Sequence, residues 1–129
     1  MTTELLCLVV NALWGAVLVF VEVLAKTKSA GVAWNAGNRE REPDVAPWVQ
    51  RTGRALSNHK ENFPLFATGV LVVHLTGRAD RWSALACIVY VVARVVHALL
   101  YMAGITRARS LAFGVGLVAV VVLYSRLLA

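Results

Sequence analysis

A polar segment of this chain lies where the adjacent apolar sequence, too short to cross a membrane alone, needs further helix. Residues 51–61, RTGRALSNHKE, precede an apolar run of 13 residues from Phe63 to Leu75. That run forms ~20 Å of helix, whereas the hydrocarbon core of a bilayer is ~30 Å thick. A turn sequence beginning at Gly77 follows it almost at once, so the missing length must come from the polar side. We therefore expect Asn58 and Glu61 to lie at membrane depth.

The remaining sequence fits a small integral membrane protein. Of its 129 residues, 59% are hydrophobic, and the apolar residues are gathered into long runs. We predict an all-α fold, a four-helix membrane bundle that forms a single domain over residues 1–129. The predicted helices cover about residues 5–25, 48–75, 81–103 and 108–128, and a loop at 26–47 joins the first two.

Two of the predicted helices carry their strongly polar residues on one face. On the second helix, at 100° per residue, a stripe about 80° wide contains Arg51, Arg54, Asn58 and Glu61. On the third helix, a stripe about 60° wide contains Tyr90, Arg94, His97 and Tyr101. Ionisable groups in a bilayer usually face a bundle interior or a wet cavity, so both stripes are candidate site residues. The structural alternative is an ion pair from Arg54 to Glu61 that only ties helices together.

The distribution of basic residues predicts the orientation in the membrane. The first and third loops hold six, namely Lys26, Lys28, Arg39, Arg41, Arg107 and Arg109. The second loop and the tails hold three, namely Arg78, Arg81 and Arg126. The positive-inside rule therefore places loops one and three in the cytoplasm. Both polar stripes then lie in the cytoplasmic leaflet and converge on one cavity.

The charges in this cavity favour an anionic ligand. Four cations, Arg51, Arg54, Arg94 and Arg109, outnumber the single carboxylate of Glu61. A small peptide with carboxylates fits, with Glu61 and Asn58 holding its ammonium or amide. Tyr101, Arg109 or Ser110 would hydrogen-bond the reactive atom, and cationic donors lower the pKa of a thiol from about 8.5. The alternative use is binding of anionic lipid headgroups without chemistry.

Other partners are not expected. No metal-ligand spacing occurs, so we predict no metal site. Cys7 and Cys87 lie inside apolar runs, where free buried thiols are expected. Basic charge in a membrane protein is first a topology signal, so we expect no nucleic-acid partner.

The second helix also resembles a known family. Residues 51–66, RTGRALSNHKENFPLF, are similar to the RxxRAxxNxxExxPxF pattern of the MAPEG family, the membrane-associated proteins in eicosanoid and glutathione metabolism. The segments ARVVHALLY and RARSLAF resemble its third and fourth helices. The resemblance implies a homotrimer of four-helix subunits that binds glutathione between neighbouring subunits on the cytoplasmic side.

The resemblance also implies roles for individual residues. The positions that match family glutathione contacts are Arg54, Asn58, Glu61, Arg94, His97 and Tyr101. Family enzymes use an arginine at the start of the fourth helix to stabilise the glutathione thiolate. Arg109, beside Ser110, matches it best, and Arg107 is the rival because loop three differs in length between family branches.

The sequence departs from several branches of the family. Lys26 or Lys28 stands where some members carry arginine, and Asn62 and Phe113 stand where two enzyme branches carry tyrosine. The pattern resembles the bacterial branch, which implies a bacterial inner membrane protein among membrane lipids. Two functions stay open. The first is a glutathione-dependent transferase or peroxidase acting on lipophilic electrophiles or hydroperoxides from the bilayer. The second is a non-catalytic protein that binds a lipid or fatty acid in the same cavity.

Overall fold

Five helices account for most of the chain in a computed structural model that describes residues 1–128. They are α1 (Thr3–Ala30), α2 (Val32–Ala36), α3 (Pro47–Leu75), α4 (Arg81–Ala103) and α5 (Thr106–Ser125). The described residues include no strand, which agrees with the predicted all-α fold.

Three of these helices, α1, α4 and α5, are long and apolar enough to cross a membrane. The longest helix, α3 with 29 residues, is not among them because its first half is the polar segment 51–61. A fourth crossing by α3 therefore stays a prediction, and it depends on polar residues lying at membrane depth.

The segment 26–47, expected as a loop, is partly helical. Residues 26–30 extend α1 to Ala30, because none of them is a glycine or proline that would end the helix before Gly31. Gly31 ends the helix with φ of 91°, a conformation that favours glycine. The short helix α2 follows, and α3 then begins with Pro47 in its first turn, where the missing N–H costs nothing.

Two apolar clusters form the core, one toward each end of the bundle. The first consists of Cys7, Phe66, Val70, Val73, Ala86, Cys87, Tyr90, Ala119 and Leu123, in which the Phe66 and Tyr90 rings stack at 4.1 Å. The second consists of Leu18, Ala55, Leu56 and Ala98. Three buried polar residues lie between these clusters along their helices, namely His59 on α3 and Arg94 and His97 on α4.

The helices α1 and α4 run parallel. Near their starts, the Ser83 hydroxyl donates to Glu4 Oε1 at 2.5 Å, and both residues are buried. Farther along, Leu18 and Ala98 meet in the second cluster. The two contacts fix the register of α1 against α4 over four turns.

Candidate functional site

The centre of the site is a buried arginine on α4. The Arg94 residue is 3% exposed, and its Nη2 donates to Asn58 Oδ1 on α3 at 2.6 Å. Its Nε has no partner among the described residues, and none of their carboxylates lies within 4.0 Å of the guanidinium. Gly116 of α5 faces the aliphatic part, since a Cβ added there would lie 3.7 Å from Arg94 Cδ. A buried, always-charged guanidinium without a counter-ion is costly, which favours binding of an anion.

The other α4 residues extend this cluster toward α5. The buried ring of His97 lies 5.7 Å from the Tyr101 ring and 6.0 Å from Phe113. The guanidinium carbon of Arg109 lies 4.1 Å from the centre of the Tyr101 ring, a cation–π contact. His97 Nδ1 lacks a partner in the described part of the chain. Cation, aromatic and imidazole groups therefore meet on one side of the α4–α5 pair.

Arg51 is placed beside this cluster but is already engaged. Its Nε donates to the carbonyl oxygen of Met102 at 2.9 Å, in the last turn of α4. A cation at a helix C-terminus satisfies a free carbonyl and opposes the negative end of the helix dipole. The side chain thus fixes the end of α4 directly after Tyr101.

The residues of the stripe predicted on α3 do not all face the same way in the structure. Asn58 points to the interior and binds Arg94, whereas Arg54 and Glu61 are exposed in the single chain. The Ser57 hydroxyl donates to Glu61 Oε1 at 3.3 Å. Arg54 and Glu61 do not contact the Arg94 cluster within the chain, so the single cavity expected for both stripes is not formed by one chain alone.

Ser110 and Arg109 are adjacent in sequence but face different surroundings. The Ser110 hydroxyl donates to its own helix at Thr106 O, at 3.1 Å, and the residue lines a groove between α4 and α5. The groove has a volume of about 550 Å³, and its walls are almost entirely apolar, including Leu85, Val89 and Val115. Arg109 instead lies over Tyr101, as described above.

A charged cleft beside Arg54 was not predicted from the sequence. It has a volume of about 410 Å³ and is bordered by α1, α3 and the segment between them. Lys26 Nζ lies 3.0 Å from Glu22 and 3.1 Å from Glu42 in this cleft. Gly53 lies against the wall of this cleft, since an added Cβ would lie 2.8 Å from Glu22 Oε1 and would displace that carboxylate. The i, i+4 spacing of Glu22 and Lys26 was the available sequence signal.

The described residues contain no group of His, Cys, Asp and Glu that could hold a metal. Cys7 and Cys87 are both buried and free. Within the part of the chain that is described, the chemistry of the site rests on cations, hydroxyls, amides and one buried imidazole.

These features define an integral membrane protein with a buried arginine inside its helical bundle. The sequence matches the model of the MAPEG family over residues 4–129, so the chain belongs to that family. The predicted family is thus confirmed over essentially the whole chain, and with it a membrane protein of the glutathione and eicosanoid metabolism class. Members of this family typically use glutathione. Neither the curated proteins nor the solved structures include a significant match.

Proposed function

We propose that this protein is a glutathione-dependent membrane transferase or peroxidase that acts on lipophilic electrophiles or hydroperoxides. One observation carries the proposal. The four site arginines, Arg51, Arg54, Arg94 and Arg109, form no salt bridge with any described residue, and the ion pairs of the described chain join other residues. The site therefore has cationic groups available to an anionic ligand.

The residues fit glutathione, which carries two carboxylates, one ammonium and one thiol. Arg94 keeps an unpartnered Nε, and His97 keeps an unpartnered Nδ1, in the described chain. The exposed Arg54 would bind a carboxylate, and the exposed carboxylate of Glu61 would bind the ammonium. Bound glutathione would supply a thiol nucleophile to the reaction.

Arg109 has the position needed to stabilise an anionic sulfur. It lies in the first turns of α5, where the helix N-terminus adds positive potential. Its guanidinium is held over the Tyr101 ring, so charge and a hydroxyl donor occur together. A cation close to a thiol favours the deprotonated form. Tyr101 would orient the guanidinium and donate to the sulfur.

The apolar groove supports a lipophilic second substrate. It passes Ser110, the residue next to Arg109, and its walls present apolar side chains of α4 and α5 to the bilayer region. A molecule entering from the lipid could therefore reach the start of α5 without crossing water. Ser110 would hydrogen-bond its polar end.

The same groove supports the second candidate function, which is lipid or fatty-acid binding without chemistry. A neighbouring groove of about 470 Å³ along Val92, Val96 and Leu100 extends the apolar surface. In this case the arginines would hold a lipid carboxylate or phosphate. Glutathione binding separates the two candidates.

Titration calorimetry of the purified protein with glutathione tests the proposal, with the thiolate absorbance recorded in parallel. We expect binding, together with a bound thiol whose pKa lies below about 8.5. S-methylglutathione is the matched control, since it keeps both carboxylates but has no ionisable thiol. Binding of a fatty acid with no binding of glutathione would favour the second candidate.

A homotrimer accounts for the exposed charges of α3. Arg54 and Glu61 are exposed in one chain although they belong to the half of α3 that must reach membrane depth. Contact with a neighbouring subunit would cover them and bring a second set of site residues close. Native mass spectrometry should detect three copies, and full glutathione affinity in a detergent-stripped monomer would contradict a shared site.

A further inference from the structure

A polar layer crosses the bundle between the two apolar clusters, and α1 contributes to it. Asn11 of α1 is 0% exposed, and neither its Nδ2 nor its Oδ1 has a partner among the described residues. Its neighbours on the same face of α1 are Cys7 in the first cluster and Leu18 in the second. A buried amide without partners is expensive, so this residue needs a polar contact.

The register of α1 against α4 shows what Asn11 faces. The two helices run parallel from the hydrogen bond between Glu4 and Ser83. Asn11 is seven residues after Glu4, which places it ~10 Å farther along, at the level of Tyr90. The next turn brings Trp14 to ~15 Å, the level of Arg94. This register places Trp14 at the level of the buried arginine and Asn11 about one turn before it.

The unpartnered atoms at this level are chemically complementary. Arg94 Nε and Trp14 Nε1 are donors, both buried and without a partner in the described chain, and Asn11 Oδ1 is an acceptor. A buried water usually makes about three hydrogen bonds to such groups. One water accepting from Arg94 Nε and Trp14 Nε1, and donating to Asn11 Oδ1, would satisfy all three atoms.

We propose that α1 and α4 enclose an intramembrane water site formed by Asn11, Trp14 and Arg94. Asn11 then supplies the acceptor of this site, and Arg94 and Trp14 supply its donors. The inference concerns the unliganded protein and does not depend on glutathione as the ligand.

The test uses Asn11→Asp, which keeps the size of the side chain and adds a negative charge. If Asn11 shares a hydrated layer with Arg94, the carboxylate gains a counter-ion, and the midpoint of thermal unfolding should stay level or rise. Leu18→Asp is the matched control, because Leu18 lies on the same face of α1 but in an apolar cluster. That control should lose about 10 °C or more.

The pairing is tested in a double-mutant cycle with Arg94→Met. Asn11→Asp should lower the midpoint by about 10 °C in this background, since its counter-ion is gone. An equal and small effect in both backgrounds would overturn the contact with Arg94. A loss as large as that of Leu18→Asp in the native background would show that Asn11 faces apolar groups.

The variant Asn11→Leu tests the water site even if Arg94→Met does not fold. Removing the acceptor leaves the water with two donors and should lower the midpoint by several degrees, and Trp14→Phe should do the same by removing one donor. A rise with Asn11→Leu would mean that the amide is unsatisfied in the native protein, and it would overturn the water site.

Discussion

The arginines of the site have different surroundings, and these separate structural from chemical roles. Arg51 is bound to the end of α4, and Arg94 is buried against Asn58. Arg109 has only the face of the Tyr101 ring as its described contact. It therefore keeps its guanidinium donors for a ligand, which fits a role at the reacting atom.

Replacing Arg109 by Ala should change the chemistry more than the binding. We expect glutathione affinity to stay within a few fold, while the pKa of the bound thiol rises because a nearby cation is lost. Thiolate absorbance and turnover of an aryl halide measure this. Arg107→Ala is the control on the same turn; if it abolishes the thiolate signal and Arg109→Ala does not, the roles are exchanged.

Glu61→Gln should have the opposite profile. Losing the carboxylate removes the counter-charge for an ammonium, so affinity should fall by at least about tenfold with little change in thiol pKa. Calorimetry measures the loss. Glu40→Gln, an exposed position before α3, is the control and should bind normally. Equal affinities for both variants would remove Glu61 from the site.

At the scale of the element, Asp80 determines how α4 begins. Its Oδ1 accepts from the N–H groups of Ser83 at 2.8 Å and Trp82 at 2.9 Å, and Arg126, the residue directly after α5, lies 2.8 Å from its Oδ2. The hydrogen bond from the Ser83 N–H, followed by the charge of Arg126, lowers the pKa of Asp80 below its usual value. The carboxylate thus caps one helix and ties it to the next.

Asp80→Asn should lower stability in a pH-dependent way. Because the pKa of Asp80 is depressed in the folded protein, its negative charge stabilises the native state at pH values above the unfolded pKa of about 4. This stabilisation is lost as the pH falls through the folded-state pKa. Asn still caps the helix, so the variant isolates the charge. Thermal unfolding should show a lower midpoint than native at pH 7 and converging midpoints near pH 3; a constant difference would contradict this.

The packing of α5 on α3 depends on a glycine that the sequence did not single out. A Cβ at Gly69 would lie 2.8 Å from the Tyr124 ring, and the Tyr124 hydroxyl is held by Leu65 O at 2.9 Å. Gly69→Ala should therefore cost about 1–3 kcal/mol through overpacking. Gly114→Ala is the control, since nothing lies within 4 Å of its added Cβ, and it should be neutral or slightly stabilising. Denaturation midpoints of both variants compare the two sites.

Periodicity along the chain predicted which residues share a face, and this explains both its success and its limits. The α4 stripe of Tyr90, Arg94 and His97 is buried as one face, because a 3.6-residue repeat is a property of one helix. How each helix is rotated against its neighbours depends on packing. That rotation turns Asn58 inward and leaves Glu61 exposed, although both lie on one predicted stripe.

Contacts between distant parts of the chain gave no local signal. The buried hydrogen bond from Ser83 to Glu4, and the bond from Arg51 to the end of α4, join residues from different helices. The family and the membrane class followed from hydropathy and motif, which are local patterns, and both are confirmed. The glutathione site and the trimer depend on contacts beyond one chain and stay predictions.

At the scale of the whole molecule, the helix ends fit a membrane-spanning arrangement, while the orientation stays a prediction. Trp48 and Trp82 are exposed at the starts of α3 and α4, which lie at opposite ends of antiparallel neighbours, as expected for interfacial anchors. The prediction that loops one and three lie in the cytoplasm rests on the excess of Lys and Arg in those loops. The cationic site would thus open to the compartment that contains most of the cellular glutathione.

Cysteine labelling in intact cells tests this orientation. The native Cys7 and Cys87 are 8% and 0% exposed, so they should give little background with an impermeant maleimide. Ala79→Cys, in the turn between α3 and α4, should react from outside if that turn faces the periplasm as predicted. Ala36→Cys, at the end of α2, should react only after the membrane is permeabilised. The reverse pattern would mean that loops one and three lie outside, and the arginine cluster would then face a compartment poor in reduced thiols.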